Sequence, residues 1–123
     1  MSLQRSLNGY RIMVVEDELL VALMIEDILI EEGCEVIGPY STVNKSLIIA
    51  ADVNADIALL DVNLRGEKVY PVAELLEVRG IPFLLLSGYG QDAIPKEHPT
   101  WQVCSKPFQI NDLIFALNLQ LTR

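Results

Sequence analysis

The chain predicts a doubly wound α/β domain in which five parallel strands are covered by helices on both faces. Three observations carry this. Short, near-continuous apolar runs of strand length recur along the chain. Segments with helical apolar spacing separate them. Each run breaks off into charged, hydroxyl or glycine residues, as strands do on leaving a sheet buried on both sides. A chain of 123 residues is long enough for one such domain with one core.

The elements follow in order. Ile12-Met13-Val14-Val15 is the first strand, ended by Glu16-Asp17-Glu18. From Leu19 to Glu32 the spacing is helical, with Leu20, Leu23, Met24 and Ile28 on one face and Gly33 as the stop. Glu35 to Pro39 forms the second strand. Ser41 or Thr42 can cap the next helix, which presents Val43, Leu47, Ala50 and Ala51. Asp56 to Leu60 is the third strand, with Asp61 at its end. A loop, Val62 to Gly66, leads into a helix carrying Val69, Val72, Ala73 and Leu76 on one side. Pro71 falls in its first turn, where proline is tolerated, and Gly80 ends it.

Ile81 to Leu86 is the fourth and most apolar strand, and Trp101 to Cys104 the fifth. Only ten residues lie between Gly90 and Trp101, two of them prolines, Pro95 and Pro99. A regular multi-turn helix does not fit there, so one turn or an irregular loop is expected. The last helix carries Ile110, Leu113, Ile114, Leu117 and Leu121 as a core stripe. Phe115 and Leu119 form a second apolar stripe that could serve a partner or a second copy of the chain. Residues 10–123 are read as the domain and 1–9 as an N-terminal tail. By analogy with known doubly wound sheets we expect the flavodoxin-like order 2-1-3-4-5, with a short or irregular fourth helix.

Composition removes several function classes. The net charge is −8 and the nine basic residues form no run, which argues against a nucleic-acid partner. No apolar run approaches membrane-spanning length, and no charged segment followed by an apolar stretch suggests a secretory signal. Cys34 and Cys104 lack metal-ligand spacing and read as buried, reduced thiols of a cytoplasmic protein. His98, between Glu97 and Pro99, reads as an incidental exposed histidine. Trp101 reads as a packing residue at a strand start.

Chemistry concentrates at the strand ends. Glu16 and Asp17 follow the first strand, Asp61 the third, Ser87 the fourth and Lys106 the fifth, so all five converge on one rim of the sheet. Clustered carboxylates repel one another and imply a cation, and magnesium favours such oxygen ligands. Asp61 is then a carboxylate nucleophile able to form an acyl phosphate, with Lys106 and the Ser87 hydroxyl stabilising transferred oxygens.

Val14-Val15-Glu16-Asp17-Glu18, Leu59-Leu60-Asp61-Val62-Asn63, Leu86-Ser87-Gly88 and Ser105-Lys106-Pro107-Phe108 resemble the signature segments of response-regulator receiver domains. The resemblance runs from about Tyr10 to the final helix. It implies Asp61 as phospho-acceptor, Glu16 and Asp17 as the acidic pocket for Mg2+, and the Asn63 backbone carbonyl as a further ligand. It implies Ser87 as the switch hydroxyl, Lys106 as the phosphate-pairing cation and a cis bond before Pro107. Asn63 and Tyr89 would tune dephosphorylation. The donor would be a phosphohistidine on a sensor histidine kinase or histidine phosphotransfer protein, and the output contact with a downstream protein. The charge and the lack of a long apolar run argue for no direct nucleic-acid or membrane contact, and the resemblance makes a homodimer through Phe115 and Leu119 an option.

One departure matters. Val103 stands where receivers usually carry Tyr or Phe, three residues before the lysine. Ser87-Gly88-Tyr89 instead resembles a receiver subgroup with Phe-Ala-Thr-Gly-Tyr-like sequences, which often lacks a formed fourth helix. Signalling would then act through ordering of residues 88–100.

Three other functions fit the sequence less well. A phosphatase or phosphotransferase of the aspartyl-phosphate type usually has a second acid two residues after the nucleophile, where this chain has Asn63. An FMN binder needs a Ser/Thr/Gly-rich phosphate loop after the first strand, where this chain has Glu16-Asp17-Glu18. A pseudo-receiver would lack part of the constellation. Both a stand-alone receiver and a segment of a larger regulator or hybrid kinase fit the sequence.

Overall fold

The structure is a computed structural model and describes residues 7–122. Five parallel strands form one sheet: β1 (Arg11–Val15), β2 (Glu35–Tyr40), β3 (Ile57–Asp61), β6 (Phe83–Ser87) and β7 (Val103–Ser105), in the order β2-β1-β3-β6-β7. Counting only these five, the order is the expected 2-1-3-4-5. The helices are α1 (Leu19–Glu31), α2 (Val43–Ala50), α3 (Tyr70–Val78) and α4 (Ile110–Leu121).

Strand alternation divides the core. Met13, Val15, Ala58, Leu60, Phe83 and Leu85 face one way and pack with residues of α2 and α3. Ile12, Val14, Ile57, Leu59, Leu84 and Leu86 face the other way and pack with residues of α1 and α4. Period-two alternation thus feeds two cores, and the central strands bury both faces.

Local chemistry sets the boundaries. The Thr42 hydroxyl accepts the Lys45 amide and caps α2. Pro71 occupies the first turn of α3. Gly38 sits at φ +110°, where a Cβ would come 2.7 Å from the Val14 carbonyl oxygen. A side chain there would force β2 away from β1, at the point where their register shifts.

The structure corrects four details. Leu7 is fully buried, and the Gly9 amide donates to the Gly33 carbonyl, so packed structure begins before Tyr10. Residues 1–6 of the expected tail lie outside the described residues. The buried face of α1 is Ala22, Ile25, Ile28 and Leu29, whereas Leu20 is 81% exposed and Leu23 and Met24 also face outward. Leu19 to Ile25 are all apolar, so spacing alone could not say which side turned inward. Ile110 and Ala51 are exposed, and Ser46 takes a buried place on α2. Finally, the loop after Asp61 contains a small antiparallel hairpin, β4 (Asn63–Leu64) with β5 (Glu67–Lys68).

Between β6 and β7 there is no α-helix. A single 3-10 turn, Gly90–Ala93, is followed by an irregular strap, as the prolines and short length predict. The strap is fastened to α3. The Tyr70 hydroxyl donates to the Ala93 carbonyl, His98 Nε2 meets Glu74 Oε2 at 3.1 Å, and Trp101 Nε1 donates to Glu77 Oε2 at 3.0 Å. Residues 70, 74 and 77 are spaced i, i+4, i+7 and share one helical stripe.

Candidate phospho-acceptor site

The parallel sheet brings the predicted residues to one rim. Asp61 ends β3 beside Leu86, and Ser87 ends β6 beside Ser105. Glu16 and Asp17 follow β1, and Lys106 follows β7. The Lys106 amide donates to the Ser87 carbonyl at 2.8 Å, and the Lys106–Pro107 bond is cis. Glu16, Asp61 and Ser87 are buried, and Asp17 half-buried.

Lys106 Nζ lies 3.0 Å from Glu16 Oε1 and 3.3 Å from Asp61 Oδ1. Burial, and then the hydrogen bond and charge of Glu16, push the Asp61 carboxyl up to about 7 against the opposing pull of Lys106. Burial pulls the Lys106 ammonium down, but its hydrogen bond to Glu16 and the charges of both carboxylates outweigh this and leave it raised. The cluster is therefore short of positive charge.

Oxygens of Glu16, Asp17 and Asp61 lie within 4.8 Å of one another. An all-oxygen, acidic donor set of this size fits a hard divalent cation such as magnesium. Glu16 Oε2 also accepts the Glu18 amide at 3.1 Å, and Asp17 Oδ2 accepts the Arg65 amide at 2.9 Å. Ser87 Oγ accepts the Tyr89 amide at 3.0 Å, leaving its own proton available to an incoming oxygen.

These groups open onto a cleft of about 270 Å³ lined by Asp17, Glu18, Asp61, Asn63, Lys68, Ser87, Tyr89 and Lys106, among others. All the predicted site residues line it except Glu16, which is buried behind it beneath Lys106 and Asp61. Sequence reasoning missed Lys68. The only available signal was a two-residue Arg65-Gly66 turn between short strands, weaker than an Asn-Gly turn. Val103 is half-buried in β7, paired with Leu85, so no aromatic ring stands at that position. His98, expected to be exposed, is half-buried: it stacks on Trp101 and faces two carboxylates.

Cys104 is buried as expected, whereas Cys34 is only half-buried. Both are free; Cys34 is pushed up to about 11 by burial and the Glu32 charge, and Cys104 is raised by burial and the Asp112 charge. Among the described residues, no helix is long and apolar enough to cross a membrane.

Comparison with known proteins agrees with this geometry. The solution structure of SdrG from Sphingomonas melonis Fr1 is 39% identical with a TM-score of 0.80, covering 92% of this chain and 97% of that one. The BeF3-activated conformation of SdrG is 37% identical with a TM-score of 0.76, covering 98% and 99%. The receiver domain of the sensor histidine kinase PA1611 from Pseudomonas aeruginosa PAO1, with magnesium coordinated in its active-site cleft, is 21% identical with a TM-score of 0.76, covering 94% and 99%. Among curated proteins, the transcriptional regulatory protein PdtaR of Mycobacterium tuberculosis is 27% identical over 117 residues, or 92% of this chain. The chain spans 57% of PdtaR's length. No family model matches the chain. A five-stranded doubly wound sheet with this acidic rim defines the signalling receivers of two-component systems. The chain belongs to the response-regulator receiver domain family.

Proposed function

We propose that the chain is a phosphorylation switch that takes a phosphoryl group from a phosphohistidine onto Asp61 and changes its protein contacts in response. The observation that carries this is Asp61 at the end of β3, facing Lys106 at 3.3 Å within a cluster of three carboxylates.

The chemistry follows from the groups present. A carboxylate oxygen of Asp61 attacks the phosphorus in line. The phosphorus–nitrogen bond of the donor breaks, and the imidazole nitrogen keeps the electron pair and takes up a proton. Lys106 releases Asp61 and pairs with a phosphoryl oxygen, while its bond to Glu16 keeps it aimed at the cleft. The Ser87 hydroxyl donates to a second oxygen. Asp17, Asp61, Glu16 through the acidic pocket, and the Asn63 carbonyl would hold Mg2+, which supplies charge neutralisation for the transferring oxygens. Magnesium in the cleft of the PA1611 receiver supports this assignment. Asn63 and Tyr89 line the cleft, which supports a role for them in the approach of water.

The donor is a sensor histidine kinase or a histidine phosphotransfer protein, and the receiver is a cytoplasmic protein acting on a downstream protein target. The Ser-Gly-Tyr segment and the absence of an α-helix between β6 and β7 support the Phe-Ala-Thr-Gly-Tyr-like subgroup. The exposed Phe115 and Leu119 of α4 support a homodimer contact, which a strictly monomeric species in both phosphorylation states would remove.

Incubation with magnesium and acetyl phosphate, read by intact mass, tests the central claim. One added phosphoryl group is expected, absent in Asp61→Asn and without magnesium. Beryllofluoride binding is the second arm. A wild-type protein that neither gains a phosphoryl group nor binds beryllofluoride overturns the reading.

A further inference from the structure

We infer that Lys68 is a second cation for the phosphoryl group, delivered to the cleft by the β4–β5 hairpin; the inference rests on the Asp61 reading above. The argument begins with register. Asn63 pairs with Lys68 and Leu64 with Glu67. Directly opposed residues in an antiparallel pair project to the same face, and successive residues alternate. Leu64 is buried in the core, so its face of the hairpin is the inner one. Asn63 and Lys68 therefore share the outer face, and both line the cleft that holds Asp61, Ser87 and Lys106.

The hairpin is held in place at both ends. Its turn donates the Arg65 amide to Asp17, and just beyond Lys68 the Val69 amide donates to the Val62 carbonyl at 2.9 Å. Arg65 and Gly66 sit at φ +53° and +87°, the conformation a two-residue hairpin requires. The residues flanking Lys68 are thus tied to Val62, next to Asp61, through Val69, and to the Asp17 carboxylate through Arg65.

Charge supplies the reason for a second cation. Around the cleft stand Glu16, Asp17, Glu18 and Asp61, and Lys106 is already engaged by Glu16 and Asp61. The Lys68 side chain makes no hydrogen bond or ion pair among the described residues. The plain alternative is a solvated lysine that keeps a short edge strand from pairing. The face shared with Asn63 separates the two, because an edge-protecting lysine has no need to border the phospho-acceptor.

The role predicts effects of opposite sign. Lys68 should favour a dianionic phosphoryl group and, being a cation, should not help Mg2+ to bind. Lys68→Gln should slow acetyl-phosphate labelling and weaken beryllofluoride binding by about threefold to fivefold at low salt, with the difference shrinking at high salt. Lys68→Arg should restore both. Magnesium affinity, measured by calorimetry on the unphosphorylated protein, should be unchanged or tighter in Lys68→Gln. Equal labelling and beryllofluoride binding in wild type and Lys68→Gln, with wild type active, overturns the Lys68 inference alone. So does a joint weakening of magnesium and beryllofluoride, which marks a merely structural residue. A wild type that binds neither beryllofluoride nor phosphoryl removes the Asp61 reading and this inference together.

Discussion

His98 stacks on Trp101 with ring centroids 3.9 Å apart and planes inclined by 1°. Trp101 is in turn packed edge-on against Phe83, with centroids 5.1 Å apart. The imidazole stands between the indole and two carboxylates of α3, Nε2 at 3.1 Å from Glu74 and Nδ1 at 3.9 Å from Glu77. The strap that replaces a fourth α-helix is thereby closed onto α3.

That closure makes a first prediction. His98→Ala should free the strap, raising amide hydrogen exchange across residues 88–100 and altering Trp101 fluorescence. The stability cost should be about 0.5–1.5 kcal/mol, the range for one aromatic contact and one partly exposed hydrogen bond. Exchange rates equal to wild type would show that the clamp does not hold the strap. In wild type, phosphorylation should change exchange in the same residues, and no change there would end the idea that this segment carries the signal.

The Asp61 carboxyl gives a pH prediction for the metal-free protein. Its ordinary value in an unfolded chain is about 3.9, whereas in the fold it stands near 7. The folded state therefore holds the proton more tightly. Its contribution is fully present below about pH 4 and is lost as pH rises through about 7. Urea titrations at mildly acid and mildly alkaline pH should show wild type losing about 1–3 kcal/mol relative to Asp61→Asn over that interval. Added magnesium should abolish the difference. A pH-independent gap between the two proteins would contradict the raised carboxyl.

Lys106 bears on the same cluster from the other side. Glu16 has no side-chain exposure and faces Lys106 at 3.0 Å. Lys106→Met removes the cation that pairs with Glu16 and Asp61 and leaves a buried carboxylate uncompensated, so metal-free stability should fall by about 2–4 kcal/mol. Combining Lys106→Met with Asp61→Asn should recover part of that loss, because one of the opposing carboxyls is gone. A strictly additive double mutant would mean that Lys106 and Asp61 are not coupled despite their 3.3 Å separation.

The first helix tests which parts of the molecule were legible in the sequence. The strands were read well because buried parallel strands are continuous apolar runs, and the rim followed because four of the five runs, β2 apart, break off into the charged or hydroxyl residues of the site. Helix α4 was largely read well, since polar residues such as Asn111, Asp112 and Asn118 punctuate it. In α1, Leu19 to Ile25 gave no polar marker, and the inward face was misassigned. Lys68 escaped because the register of a two-residue-strand hairpin placed it, and His98 because its partner lies on a helix 24 residues upstream. The corrected face predicts that Leu20→Gln shifts stability by less than about 0.5 kcal/mol, while Ile25→Ala costs about 2–4 kcal/mol. The reverse ranking in denaturant titrations would restore the sequence-based face.

The cysteines close the set with a chemical prediction. Reactivity follows the thiolate, and burial with neighbouring acids raises both thiols. Cys34 is further held by donating to the Leu7 carbonyl at 3.4 Å. At neutral pH the native protein should therefore react with a disulfide reagent far more slowly than free cysteine, and both thiols should label promptly once urea unfolds the chain. Cys34, at about 11, is expected to stay unreactive even at mildly alkaline pH. Fast labelling of Cys34 in the folded protein would mean that the Leu7 segment opens readily, and would take the buried N-terminal turn out of the stable core.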